Sequence, residues 1–207
     1  MKLRHVLTLT LGACVGLGSI AQAQNLANKQ AQAELKATIN NCAVCHGLHG
    51  QSVSPTFPNL AAQQPVYIEN QLHAFKNQTR GDPDAQAFMW GMASQLTDQK
   101  IAELAHYWST QPPPKPRAGD PKLIAQGRAI FTKGIPTEGV PPCASCHGPD
   151  AAGRGMFPRL AGQHQQYLLK QLLVIQTALR SAPVMHGIIK DLTRDQMQAV
   201  TTYLASL

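Results

Sequence analysis

The chain has 207 residues, enough for one or two domains, and only 5% of them are aromatic, too few large side chains for a thick core of their own. Its formal charge of +7 comes without a basic stripe interleaved with aromatics, which argues against nucleic-acid binding and is only weak support for an acidic partner.

Residues 1–23 read as a secretory leader. Lys2, Arg4 and His5 form a basic start, Val6 to Ile20 a short apolar run, and Ala21-Gln22-Ala23 a small-residue cleavage site before Gln24. The run is too short for a comfortable membrane span. A second reading takes Leu11-Gly12-Ala13-Cys14 as a lipoprotein box that would leave Cys14 lipid-anchored. The continued small, apolar residues from Val15 to Ile20 favour the soluble exported product, and hence the periplasm. Removing this leader takes away the odd cysteine and leaves four, so no cysteine is left for a structural disulfide.

Residues 28–40, rich in Ala, Gln and Lys, predict a helix leading into Cys42-Ala43-Val44-Cys45-His46. Cys-x-x-Cys-His is the pattern of covalent c-type haem attachment. Two thiols three positions apart can each form a thioether to one porphyrin, and the adjacent histidine then reaches the iron as an axial ligand. A zinc knuckle would want a second Cys pair or a His pair close by, and a redox dithiol needs no histidine directly after it. Pro65 suits a helix start, with Ile68, Leu72 and Phe75 at helical spacing after it. Thr97 is a good N-cap, with Asp98 in the first turn and Ile101, Leu104, Ala105 and Trp108 on one apolar face.

Residues 111–121, with prolines at 112, 113, 114, 116 and 121, read as a stiff extended connector. They divide a first domain, 24–110, from a second, 122–207. The second repeats the first: a helix at Leu123 to Phe131, then Cys143-Ala144-Ser145-Cys146-His147, a helix from about Gln165 to Arg180, and a last helix capped by Thr193 with Met197, Val200 and Leu204 inward. Phe57-Pro58-Asn59-Leu60-Ala61-Ala62-Gln63, Tyr67 and Gln71-Leu72 recur as Phe157-Pro158-Arg159-Leu160-Ala161-Gly162-Gln163, Tyr167 and Gln171-Leu172 at an offset of 100. No stretch alternates with period two, so the fold class is all-α, in two tandem domains that each wrap around one covalent haem.

A six-coordinate haem needs a second axial ligand, and methionine is histidine's usual partner in electron-carrying haems. Met89 and Met185 each stand seven residues before the matched Leu-Thr pairs at 96–97 and 192–193. The position matching Met92 is Ile188, which cannot bind iron, so Met92 reads as a packing residue. Met156, with no counterpart, reads as core. His186 rivals Met185 but corresponds to Trp90, while His49, His73, His106 and His164 lack matching histidines and read as surface or hydrogen-bonding residues. The site residues are therefore Cys42, Cys45, Cys143 and Cys146 for the thioethers and His46, Met89, His147 and Met185 for the iron, with two haem c groups as cofactors.

Two class I domains, each carrying Cys-x-x-Cys-His, Phe-Pro-x-Leu-Ala, Tyr-x-x-x-Gln-Leu and Met-x-Gly before Leu-Thr, resemble the dihaem cytochrome c4 family over nearly all of the chain after residue 23. The resemblance implies a periplasmic respiratory-chain electron carrier, donating to a terminal oxidase, often associated peripherally with the membrane. It implies redox protein partners, an oxidase or a quinol or dehydrogenase complex, and no catalysis by the chain itself. It also implies that a proline carbonyl, from Pro58 or Pro158, accepts the proximal histidine's N–H. Two departures stand out: the first half lacks the pair that Gly127 and Phe131 supply, and the second inserts residues 133–142 before Cys143. These bear on whether the two haems share one potential. The cytochrome subunit of a flavocytochrome c-like dehydrogenase remains an alternative, and a dihaem peroxidase, which needs an open iron face, a weaker one.

Overall fold

A computed structural model describes the backbone of residues 15–207 and the side chains of residues 20–207. Cys14 and most of the apolar leader run lie outside the described residues. Among these residues no helix is long and apolar enough to cross a membrane.

Helix α1 runs Val15–His46, well beyond the expected 28–40, and delivers the first Cys-x-x-Cys-His at its C-terminal end. Its residues 15–38 belong to one unit, Met1–Thr38, and the rest of the chain, Ile39–Leu207, forms a second compact unit that holds both haem motifs. Within the second unit α2 (Pro65–Lys76) starts on its proline, with Ile68 and Phe75 buried. A single π-helical turn, Ala85–Met89, leads into α3 (Trp90–Ala93). Such turns are rare and recur where a side chain is held for function. Helix α4 (Asp98–Ser109) is capped by Thr97 Oγ1, which accepts from the Lys100 N–H at 3.2 Å. Its face of Ile101, Leu104, Ala105 and Trp108 is at most 2% exposed.

The connector packs. Pro114 is buried, and the Arg117 N–H donates to the Ala205 carbonyl at 2.9 Å. Asp120 caps α5 (Pro121–Lys133), which packs on α9 (Arg194–Ala205) through Gly127, Ile130 and Phe131. Between them come α6 (Ala144–His147), α7 (Gln165–Gln176) and α8 (Pro183–Ile189). Thr193 and Gln196 close a reciprocal capping box on α9. Among the described residues there is no strand, only isolated bridges at Ile135–Val140 and Arg154–Phe157.

The repeat is visible in hydrogen bonds. Leu60 and Ala61 both donate to the Gly50 carbonyl, and Leu160 and Ala161 both donate to that of Ala151. The backbone at Gly50 and Ala151 is left-handed in each case, φ 69° and 52°, so the loop is copied even where the glycine is not. The two copies also clasp each other. Gln163 accepts from the Asn59 N–H at 2.8 Å and donates to the Asn59 carbonyl at 2.9 Å. Gln63 does the same to Arg159, at 2.6 and 3.0 Å. Each glutamine thus acts as a strand partner for the backbone of the other repeat. That satisfies main-chain groups whose burial would otherwise be costly.

Two single residues differ from expectation. Met92 is 50% exposed and Met156 is 63% exposed, so neither packs in a core.

Candidate haem sites

Each attachment motif ends a helix. The chain turns out at Gly47 (φ 76°) and Gly148 (φ 81°), whose N–H groups donate to the Ala43 and Ala144 carbonyls. This places His46 and His147 at the turn, 7% and 8% exposed. Both rings are held in the same way. His46 Nδ1 donates to the Pro58 carbonyl at 2.9 Å, and His147 Nδ1 donates to that of Pro158 at 3.0 Å. A carbonyl can only accept, so the proton sits on Nδ1 and the Nε2 lone pair is free for a metal. Phe57 and Phe157 stand edge-on to these rings, with centroids at 6.0 and 6.3 Å. Burial pushes both imidazoles below the usual histidine range, against the opposing pull of the proline carbonyls, so they are kept neutral, as ligation requires.

The four thiols are unpaired and half-buried. Burial raises Cys42 and pushes Cys143 up to about 11, which keeps these two thiols protonated and slow to oxidise before attachment. Among the described residues, no three His, Cys, Asp or Glu side chains converge as a metal cluster would need, and the two Cys-x-x-Cys pairs are not joined as a zinc site would join them. The donor set of each motif therefore fits a covalently tethered haem: two free thiols and one oriented neutral imidazole.

Met89 closes the π-helical turn and packs with Phe75, Ala85 and Ala93. Met185 lies on α8 and packs with Ile175, Ile189 and Leu192. Both are half-buried. His186, the rival at the second site, donates from Nδ1 to the Ile175 carbonyl at 2.9 Å, and its counterpart Trp90 donates to the Arg80 carbonyl at 2.8 Å. Both side chains thus brace the methionine-bearing segments.

His164 departs from expectation. It is 1% exposed, and neither ring nitrogen has a hydrogen-bond partner. Its counterpart Gln64 reaches across the repeat boundary to the Ala152 carbonyl at 3.0 Å, a bond that the shorter imidazole does not mirror. Burial lowers its pKa, and the Arg117 charge lowers it further. A lowered folded-state pKa means that the unfolded chain binds the proton more readily. Stability from this site is complete above about pH 6.5, the ordinary histidine value, and declines as the pH falls below it. His164→Gln is expected to gain on the order of 1 kcal/mol at pH 5 and less at pH 8, read from urea unfolding at the two pH values. An equal gain at both would mean that titration plays no part.

An all-helical tandem that twice presents paired thiols and a neutral, proline-oriented histidine defines a class, the c-type cytochromes with one covalent haem in each repeat. The cytochrome c family model matches residues 22–111 and again 124–207. The chain is 40% identical to cytochrome c4 of Thiocapsa roseopersicina over 173 residues, 80% of this chain and 86% of that one. It superposes on the solved structure of Acidithiobacillus ferrooxidans cytochrome c4 with a TM-score of 0.77 and 40% identity, covering 81% of this chain and 99% of that one. It is also 33% identical, over 80% of its length and 78% of the relative's, to a thiosulfate dehydrogenase electron acceptor of Thiomonas intermedia (strain K12). The chain belongs to the cytochrome c4 family and is a dihaem electron-transfer cytochrome that works with redox partners.

Proposed function

We propose that this chain is a periplasmic shuttle that carries electrons through two His/Met haems, His46 with Met89 and His147 with Met185, toward a terminal oxidase. Cys42 and Cys45 anchor the first haem, Cys143 and Cys146 the second. The observation that carries this reading is the twofold occurrence of the same oriented histidine, at 2.9 and 3.0 Å from a proline carbonyl. A methionine-bearing segment accompanies it in the same order in each repeat. With an imidazole and a thioether on each iron, no coordination site is left for substrate, and the bound haem supplies outer-sphere electron transfer only. The protein keeps the imidazole neutral, orients it, and surrounds the ring with apolar side chains that disfavour the extra charge of ferric iron.

The charge distribution supports docking by one end. Residues 39–110 carry three Lys/Arg against five Asp/Glu, whereas residues 111–207 carry eleven against five. Lys115, Arg117, Lys122, Arg128 and Lys133 are exposed and free of ion pairs among the described residues. An acidic partner surface would be steered to this end, and the encounter would weaken with salt.

A second reading, electron acceptor of a dehydrogenase, is favoured by the likeness to the Thiomonas acceptor. Stopped-flow mixing separates the two. Fast, salt-sensitive oxidation of the reduced protein by oxidase-containing membranes supports the shuttle. Slow oxidation there, with fast reduction by a thiosulfate-oxidising dehydrogenase and co-purification with it, selects the second reading.

A further inference from the structure

The segment inserted before Cys143, absent from the first repeat, folds into a hairpin after α5. The Ile135 N–H donates to the Val140 carbonyl at 2.8 Å, and the Val140 N–H donates to that of Ile135 at 3.1 Å. A tight helical turn, Pro136–Glu138, and left-handed Gly139 (φ 70°) close the loop between them. Gly134 is left-handed as well (φ 70°), and a Cβ there would stand 2.2 Å from the Val140 carbonyl oxygen. The two arms therefore meet backbone to backbone, which only glycine permits.

The hairpin reaches the side of the domain that carries Met185. Val140 is 4% exposed and belongs to a buried cluster with Ile175, Ile189, Leu192 and Met197. Met185 packs against that same cluster. At the hairpin tip, both carboxylate oxygens of Glu138 accept from Gln196 Nε2, each at 3.0 Å. Gln196 Oε1 in turn accepts from the Thr193 N–H at 2.7 Å, so the tip is tied to the cap of α9, next to Leu192. Val140 stands three positions before Cys143. One short segment thus joins the second anchor to the packing around Met185.

A second tie comes from Gln176, the last residue of α7. Its Nε2 donates to the carbonyls of Ile189, Lys190 and Leu192 at 3.2, 3.0 and 3.0 Å. These lie at the end of α8 and in the turn after it, where a helix leaves carbonyls short of partners. Helix α8 has only seven residues, too few to hold itself together. Its place is set by what it packs on and by what closes its end. The first repeat does this differently. Its Cys42 lies within α1 with no hairpin before it, and its counterpart of Gln176 is Lys76, which pairs with Asp98 at 3.5 Å.

We propose that the hairpin, through Val140, and the Gln176 amide are positioning elements that keep Met185 on the second iron and so keep that iron closed to outside ligands. An outside ligand binds only while the methionine is off. Its apparent affinity is reduced by the small fraction of time that the site is open, and loss of either support raises that fraction. The proposal rests on the assignment of Met185 as a ligand.

The test is a cyanide titration of the ferric dihaem protein, followed by NMR at the methyl signals of the ligand methionines. Met89→Ala and Met185→Ala assign those signals, each by the loss of one. Val140→Ala and Gln176→Leu are each expected to tighten cyanide binding at the second haem about tenfold, with the Met185 signal fading at correspondingly lower cyanide. The Met89 signal should fade as it does in the unsubstituted protein. Val200→Ala removes the same methyls from an equally buried site between α5 and α9. It should lower the unfolding midpoint and leave cyanide binding alone. Unchanged second-haem affinity in either folded variant, an equal change at both haems, or an equal change in Val200→Ala overturns the proposal. Should Val140→Ala fail to assemble with both haems, Gln176→Leu decides alone. If Met185→Ala leaves both methyl signals in place, it is the ligand assignment that fails.

Discussion

Replacing Met89 or Met185 with alanine is expected to convert one haem of the pair, and only one, from low-spin to high-spin. Alanine offers no donor atom, so the iron keeps its histidine and gains either a water or an empty face. The thioether favours the ferrous state, and its loss lowers that haem's potential by a sizeable part of the ~0.8 V that axial ligands command. Each variant should also begin to bind cyanide or carbon monoxide at a single iron. His186→Ala and Met92→Ala are the controls. The His186 ring is committed through Nδ1 to the Ile175 carbonyl, and Met92 is half exposed, so both should leave the spectrum low-spin. Visible and near-infrared spectra with a redox titration decide the matter. A Met89→Ala or Met185→Ala protein that stays low-spin at an unchanged potential removes that residue from the ligand set.

The parts of this molecule legible in the sequence are those the repeat wrote twice in local patterns. The attachment pentads, the Pro65 helix start, the Thr97 and Thr193 caps and the apolar faces of α4 and α9 depend on residues within a few positions of each other. The clasp between repeats was half visible. Gln63 and Gln163 stand out at the offset of 100, but what they bond is backbone about a hundred residues away, which no local pattern encodes. Arg80 and Arg180 obey the same offset and could have been found by extending the comparison past Leu72 and Leu172. Charge alone points an arginine to the surface, and only the shared amide oxygens of Gln71 and Gln171 account for their burial. Met156 and Met92 were misplaced for the opposite reason, since a hydrophobic side chain outside a periodic face carries no inward signal. His164 escaped because its burial is set by a partner surface from the other repeat, where a glutamine would fit and an imidazole does not bond.

Gly127→Ala is expected to cause the largest loss of stability of any single change considered, above ~3 kcal/mol by the scale of severe overpacking. The reason is contact between backbones. A Cβ added at Gly127 would stand 2.0 Å from the Ala199 carbonyl oxygen and 2.8 Å from the Tyr203 Cβ. Neither can swing aside, because one is main chain and the other is the root of a buried side chain near the C-terminal end of α9. Helix α5 must then lift off α9, and the buried cluster of Ile130, Phe131, Val200, Tyr203 and Leu204 opens with it. That cluster also packs Cys143 and Ala144 of the second attachment motif, so the damage reaches the haem anchor. Gly187→Ala is the control, since nothing lies within 4 Å of an added Cβ there and its backbone is helical. Thermal unfolding followed separately at the Soret band and by far-ultraviolet dichroism reads the outcome. Gly127→Ala should lower both midpoints and reduce haem incorporation at Cys143 and Cys146, while Gly187→Ala leaves both near their original values. Equal stability in the two variants would mean that α5 and α9 can separate by an ångström or more without cost, and that their close approach does not hold the second haem site together.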